Sequence, residues 1–112
     1  MTTLQTNLAC NYSAIPLEEW DAHLLNGQQL FDLAQETLEL SNGFAFQFLA
    51  DTPAILKAAQ FISTERLCCP FFKFTLELEP DSGSLWLRIT GPEEAKQVLE
   101  AGLNWVKFVQ VT

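Results

Sequence analysis

Two hairpin-like segments, each followed by a helix-like segment, most constrain how this chain can fold. In the first, apolar and polar residues alternate on both sides of Asn42-Gly43, which is the strongest short signal for a tight hairpin turn. In the second, a similar alternation flanks the turn residues 80–83. The tetrapeptide Thr-Leu-Glu-Leu occurs in both hairpins, at positions 37–40 and 75–78. We therefore expect two strand-strand-helix units.

Helix start and stop residues frame these units. Pro16, followed by two acidic residues, indicates the start of a leading helix. A second helix is expected to begin with Thr52 as its N-cap and to end before Pro70, because a proline disfavours helix at the residue preceding it. Thr90-Gly91-Pro92 opens the last helix. The predicted buried stripe of the second helix consists of Ile55, Ala58, Ala59 and Ile62.

This order predicts the α+β fold class: a leading helix, then the two units, with a four-stranded, mainly antiparallel sheet packed on helices. A chain of 112 residues fits one domain, residues 1–112, and its polar first 12 residues predict a loose arm. In the second unit, the residues expected on the buried face are Leu76, Leu78, Leu85, Leu87 and Ile89. The residues expected on the opposite face are Glu77, Glu79, Trp86 and Arg88.

Charge and hydropathy exclude several classes of protein. Fourteen acidic residues against six basic ones give a net charge of −8, which argues against a nucleic-acid partner. No apolar run approaches the ~20 residues that a membrane-spanning helix needs. The N-terminus lacks a basic stretch followed by an apolar core, so we expect a cytoplasmic protein whose three cysteines are reduced thiols.

The adjacent residues Cys68 and Cys69 are the strongest candidates for a functional site. Neighbouring thiolates suit a thiophilic metal ion or a thiol ligand. Glu65 lies one helical turn earlier and is a candidate further ligand, and Cys10 would add a third sulfur if the arm folds back. The sequence thus predicts a metal site at Cys68, Cys69, Cys10 and Glu65. The alternative is that the pair packs in the core beneath Phe71 and Phe72.

Catalysis finds little support in the sequence, and whether the chain is an enzyme stays open. Cys68 and Cys69 follow a helix C-terminus, where the partial negative charge opposes a thiolate, and the carboxylate of Glu65 opposes it further. The single histidine, His23, is expected on the surface of the leading helix. We find no catalytic constellation.

Trp86 suggests a second kind of function. Because Leu85 and Leu87 point to one face of their strand, Trp86 must point to the other. An exposed tryptophan favours a contact, so the alternative function is a non-catalytic module that forms a homodimer or binds a protein partner. The competing explanation is a lone surface tryptophan, or a face covered by the leading helix through Trp20.

The segment Glu65-Arg66-Leu67-Cys68-Cys69-Pro70-Phe71 and the later Thr90-Gly91-Pro92 resemble a family of small uncharacterised bacterial proteins. That family shares an E-R-x-C-C-P-F segment, a following strand pair and a T-G-P helix start. The resemblance covers roughly residues 8–103. It implies an α+β domain and, for some members, an association with heavy-metal-responsive regulation.

Overall fold

The computed structural model describes residues 9–81 and 83–101. Two short 3₁₀ turns, Tyr12–Ala14 and Leu17–Glu19, precede helix α1, Trp20–Asp32. The first unit consists of β1 (Glu36–Leu40), β2 (Gly43–Leu49) and α2 (Thr52–Cys68). The second consists of β3 (Lys73–Leu78), β4 (Ser84–Thr90) and the helical residues 93–101, here called α3. The predicted α+β class is confirmed, although the leading helix begins later than Pro16.

The four strands form one antiparallel sheet in the order β1-β2-β4-β3. Each unit contributes one hairpin, and the hairpins join through β2 and β4, where Gln47 is opposite Trp86. Gly43 begins β2 at a close approach of two backbones, since a Cβ atom there would overlap the carbonyl oxygen of Ile89. The predicted single sheet of two hairpins, each followed by a helix, is confirmed.

The core lies between one face of the sheet and the three described helices. Strands β2 and β4 supply its largest group of buried side chains: Phe44, Phe46, Phe48, Leu85, Leu87 and Ile89. The helices contribute Leu30, Phe31, Ala54, Ala58, Phe61 and Leu99. The other face of the sheet carries no described helix. All helical packing is therefore on the face that bears the phenylalanines.

Three expectations about burial and capping are wrong. Leu76 and Leu78 are 36% and 54% exposed, because β3 is an edge strand at which the helical layer ends. Ala59 is exposed, and the buried side of α2 runs instead through Ala54, Ala58, Phe61, Thr64 and Cys68. The N-cap of α2 is Asp51, whose carboxylate accepts a hydrogen bond from the Ala54 backbone N–H at 3.0 Å.

Among the helices within the described residues, none combines the length and apolar character that crossing a bilayer requires. Of the predicted arm, residues 1–8 lie outside the described residues. Cys10 and Asn11 are not loose, because both are bonded to the end of α2.

Candidate metal centre

The site forms where the N-terminal segment crosses the C-terminal end of α2. Helix α2 ends at Cys68, two residues before Pro70, and Cys69 is its C-cap. A helix end leaves backbone carbonyls without partners inside the helix. One of these, the carbonyl of Cys68, accepts a hydrogen bond from the backbone N–H of Asn11 at 2.7 Å. The N-terminal segment is thereby positioned beside the two adjacent cysteines.

The sulfur atoms of the three cysteines gather at this crossing. Cys10 and Cys69 form a disulfide, and Cys68 remains a free thiol. The sulfur of Cys68 lies 3.3 Å from that of Cys69. Cys68 and Cys69 are both 0% exposed, whereas Cys10 is half-buried. The expectation of three reduced thiols is wrong for this structure. The condition under which Cys10 would add a third sulfur, that the arm folds back, is met.

Glu65 adds oxygen atoms to the sulfur cluster. Its Oε2 lies 3.5 Å from the sulfur of Cys69, which carries no proton while it is in the disulfide. Cys68, Cys69, Cys10 and Glu65 offer ligand atoms that all lie within 4.8 Å of one another. The structure thus brings together all four residues that the sequence singled out. Metal binding by these four residues stays a prediction.

His23 joins the site from α1 and is not the surface residue that we expected. Its Nε2 lies 2.7 Å from Oε1 of Glu65, and its side chain is only 9% exposed. Its ring stacks on that of Phe61, with centroids 5.5 Å apart and an interplanar angle of 19°. These contacts hold one Glu65 oxygen, so that the other faces the sulfur of Cys69. No sequence signal connects residues 23 and 65, which belong to different helices.

Burial and negative charge raise the pKa of two groups at the site. The pKa of the Cys68 thiol rises to about 12, first because burial removes the thiolate from water and second because the Glu65 carboxylate is near. The Cys68 thiol also lies 3.4 Å from the carbonyl oxygen of Glu65, to which it donates. The pKa of Tyr12 is raised by burial first, then by Glu65 and Cys68. Cys68 is therefore a protonated thiol at neutral pH.

A cavity of about 100 Å³ adjoins the cluster. Cys10 lines it, while Cys68 and Cys69 do not. Most of its wall is apolar, and its polar side chains include His23 and Glu65. The apolar residues that surround it, drawn from the N-terminal segment, α1, α2, the sheet and α3, include Ile15, Trp20, Leu24, Phe31, Phe61, Phe72, Phe74, Ile89, Val98 and Leu99.

The core-packing alternative for the adjacent cysteines is also visible. Cys68 and Cys69 form a small buried cluster with Ile15, against which Phe71 and Phe72 pack. Packing and ligand binding are compatible here, because the same two cysteines belong both to the buried cluster and to the group of four ligand residues. Burial alone therefore does not decide between the two roles.

Trp86 lies on the sheet face opposite the helices, as the strand alternation predicts. It is half-buried, Arg88 lies over its ring at 5.5 Å, and Arg88 donates to Glu77 at 2.8 Å. Trp20 does not cover this face, because it packs against the cluster of Ile15 and the cysteines. Leu38 and Leu49 share the face with Trp86 and are 41% and 59% exposed.

No family model, no curated protein and no solved structure matches this chain.

Proposed function

We propose that the reduced protein binds a thiophilic metal ion through the sulfurs of Cys10, Cys68 and Cys69, with Glu65 as the fourth ligand. The observation that carries this proposal is the gathering of those four ligand atoms within 4.8 Å of one another, from two chain segments far apart in sequence. This arrangement favours tight binding, because the fold has already ordered most of the ligand side chains before an ion arrives.

The distances fit a tetrahedral thiolate site after modest movement. A metal–sulfur bond of about 2.3 Å in a tetrahedron separates neighbouring sulfurs by about 3.8 Å. The sulfurs of Cys68 and Cys69 are already 3.3 Å apart. Cys10 must withdraw from Cys69 once the disulfide is reduced, and it lies in a terminal segment outside the sheet. The metal therefore competes directly with the disulfide for Cys10 and Cys69.

The surroundings favour a cation over a neutral ligand. The protein carries a net charge of −8, and three thiolates with one carboxylate would supply four negative charges at one point. His23 contacts Glu65 and would orient its carboxylate toward a bound ion. Partners of this kind commonly contribute about 10–100-fold to metal affinity. Ligand thiols must lose their protons, so metal uptake releases protons and strengthens as the pH rises.

The sequence resemblance supports the same proposal, since some members of that bacterial family are associated with heavy-metal-responsive regulation. Metal binding also requires reduced cysteines, which favours the cytoplasm as the place of action. We accordingly propose a bacterial, cytoplasmic metal-binding protein without a nucleic-acid partner of its own, given its acidic surface.

Titration with Co²⁺ and Zn²⁺ tests the proposal. The protein is reduced with a phosphine, which leaves no competing thiol, and Co²⁺ is followed by thiolate-to-metal charge-transfer absorption. One equivalent should bind to the reduced wild type and none to the oxidised protein. Cys68→Ala and Cys69→Ala should each abolish the band, and Glu65→Gln should weaken binding while the exposed Glu18→Gln serves as its matched control. Equal uptake by the Cys68→Ala/Cys69→Ala double variant would refute the site.

A second candidate function rests on the open face of the sheet. The exposed Leu38 and Leu49 flank Trp86 on a surface with no described helix above it. We propose that this face pairs with a second copy of the chain, because burying such side chains contributes roughly 2 kcal/mol each. Arg88 offsets part of the negative charge that two such copies would bring together.

Sedimentation measures this self-association. Trp86→Ala and Leu38→Glu should both shift the protein toward the monomer. Leu56→Glu is the matched control, because Leu56 is equally apolar and 62% exposed but lies on α2. Raising the salt concentration should strengthen the dimer by screening the repulsion between two acidic chains. A wild-type monomer at high concentration would exclude the homodimer.

A further inference from the structure

The two sulfurs of the disulfide differ in their access to small molecules. Cys69 is 0% exposed, and its sulfur is enclosed between Cys68 and Glu65. Cys10 is half-buried and contributes to the wall of the cavity of about 100 Å³. Among the described residues, the cavity is lined by Cys10 and not by Cys69, so a nucleophile that enters it reaches Cys10 first. The structure therefore gives the disulfide a single accessible end.

The cavity beside that end has the volume and lining of a small binding site. Its volume is comparable with the apolar cavity of about 150 Å³ that can hold benzene. Phe31, Phe61 and Trp20 contribute aromatic surface. The polar pair His23–Glu65 also lines the cavity, and the Glu65 carboxylate lies within 4.8 Å of the Cys10 sulfur. A ligand with a short apolar body and one polar group fits both kinds of surface.

We propose that Cys10 undergoes thiol–disulfide exchange with a small uncharged or cationic thiol, whose substituent then occupies this cavity. The thiolate of the small thiol attacks the sulfur of Cys10 and forms a new S–S bond. The bond between Cys10 and Cys69 breaks, and Cys69 leaves as a thiolate. A second molecule of the thiol releases the first as a symmetric disulfide and leaves Cys10 reduced, which completes a two-electron reduction.

The surroundings of Cys69 assist its departure. The Cys68 thiol lies 3.3 Å from the sulfur of Cys69 and can turn its S–H from the Glu65 carbonyl oxygen toward the developing thiolate. That donation offsets part of the repulsion from Glu65, whose Oε2 lies 3.5 Å from the same sulfur. Cys68 thus acts directly on the leaving sulfur as a hydrogen-bond donor, and its own sulfur does not enter the new bond.

Charge decides which thiols react. The incoming thiolate already bears one negative charge, and Glu65 stands at the polar part of the cavity in a protein of net charge −8. A second negative charge on the substituent is therefore disfavoured, and an ammonium group is favoured by proximity to the carboxylate. Thiols of equal size should react in the order cationic, uncharged, anionic.

This inference does not require metal binding, because exchange consumes the oxidised protein and the metal needs the reduced one. Cysteamine, 2-mercaptoethanol and mercaptoacetate are similar in size and differ in charge. The oxidised protein is mixed with each, quenched with acid, and analysed by intact mass and peptide mapping. Rates are expressed per thiolate and divided by the rate of the same thiol with bis(2-hydroxyethyl) disulfide, which removes differences in intrinsic reactivity.

The mixed disulfide should map to Cys10, and the normalised rate with cysteamine should exceed that with mercaptoacetate by about tenfold or more. Glu65→Gln should reduce that ratio. Cys69→Ser, treated with the symmetric disulfide of cysteamine, should trap the adduct on Cys10 because no second thiol at residue 69 can displace it. An adduct found mainly on Cys69, or an unchanged order of thiols in Glu65→Gln, would overturn the proposal.

Filling the cavity provides an independent test. Gly27 lines the cavity on α1, and a Cβ atom there would lie 3.6 Å from the Phe61 ring, an ordinary contact. Gly27→Leu should slow adduct formation about tenfold, and the smaller Gly27→Ala should slow it less. Gln28→Leu is the matched control, since Gln28 is the exposed neighbour on the same helix. Equal rates in Gly27→Ala, Gly27→Leu and Gln28→Leu would show that no substituent enters the cavity.

The outcomes separate this inference from the proposed function. Exchange at Cys10 without cobalt uptake by the reduced protein would support the thiol site and reject the metal site. Cobalt uptake with no adduct at Cys10 would support the metal site and reject the thiol site.

Discussion

Cys68 is a free thiol enclosed by apolar side chains and a carboxylate, and this environment makes its proton costly to remove. Burial first and Glu65 second raise the pKa of Cys68 from 9.0 to about 12. Since the folded-state pKa lies above the unfolded-state value, the folded protein holds this proton more tightly. The resulting stability is complete below pH 9 and is lost as the pH rises toward 12.

We therefore predict that the free energy of unfolding falls between pH 9 and 11, with a contribution from Cys68 of up to about 1.4 kcal/mol per pH unit. Urea unfolding of the wild type and of Cys68→Ser, which keeps the shape but does not titrate, measures that contribution as a difference in slope. Equal slopes in the two proteins would contradict the raised pKa. Tyr12 also titrates in both proteins, and the part of its raised pKa that comes from burial and from Glu65 is common to the two.

The contact between His23 and Glu65 is one that the sequence alone does not predict. Glu65 and Cys69 could be related because they lie on one helix, where spacing fixes the angle between side chains. His23 belongs to α1, and its contact with Glu65 depends on how α1 packs on α2. Nothing in the local pattern around His23 specifies that packing, so a surface position was the natural expectation.

Among the elements, α2 matters most for the site, because its rotation about its own axis decides what Glu65 and Cys68 face. The start and end of this helix were predicted within one residue, since Pro53 and Pro70 act through local backbone geometry. The predicted buried stripe of this helix was wrong at Ala59, which is exposed. Apolar residues lie around most of the helix, so periodicity alone left the rotation open, and the packing of Phe61 against Phe31 accompanies the rotation observed.

Helix α2 also provides a test of its N-cap. Asp51 accepts from the Ala54 N–H at 3.0 Å, whereas the Thr52 side chain is exposed. We predict that Asp51→Ala lowers the free energy of unfolding by about 1 kcal/mol. Thr52→Ala, the matched control at the adjacent position, should change it by less than about 0.5 kcal/mol. Chemical denaturation of both variants measures this, and a larger loss in Thr52→Ala would show that Thr52 is the cap.

For the whole molecule, local patterns predicted the two hairpins and the single sheet, because alternation and turn residues act over a few positions. The packing of the N-terminal segment against α2, in contrast, depends on contacts between residues far apart in the sequence. Cys10 and Cys69 are separated by 59 positions, and no periodicity connects them. The fold brings Asn11 to Cys68 and Cys10 to Cys69, so neither the hydrogen bond nor the choice of disulfide partner follows from local sequence. From the sequence, Cys10 is a candidate ligand only if the N-terminal arm folds back. The structure shows that it does, with Cys10 bonded to Cys69.

The same closure governs the stability of the whole domain. A disulfide that joins positions 59 apart removes many conformations from the unfolded chain. On the chain-entropy account this contributes about 4 kcal/mol. We predict that reduction with a phosphine lowers the free energy of unfolding of the wild type by an amount of that order. Urea denaturation with and without the reductant measures it.

Two variants locate the effect. Cys10→Ala removes the bond without emptying the fully buried cluster, so its stability should match that of the reduced wild type and should not change on reduction. Cys68→Ala retains the Cys10–Cys69 bond and should stay sensitive to reduction. If Cys10→Ala were still destabilised by the reductant, the reducible bond would involve Cys68.

A thiophilic ion that binds only the folded, reduced protein should restore part of the loss in proportion to the logarithm of its concentration. The N-terminal segment would then be held to α2 by a covalent bond in one redox state and by a metal in the other.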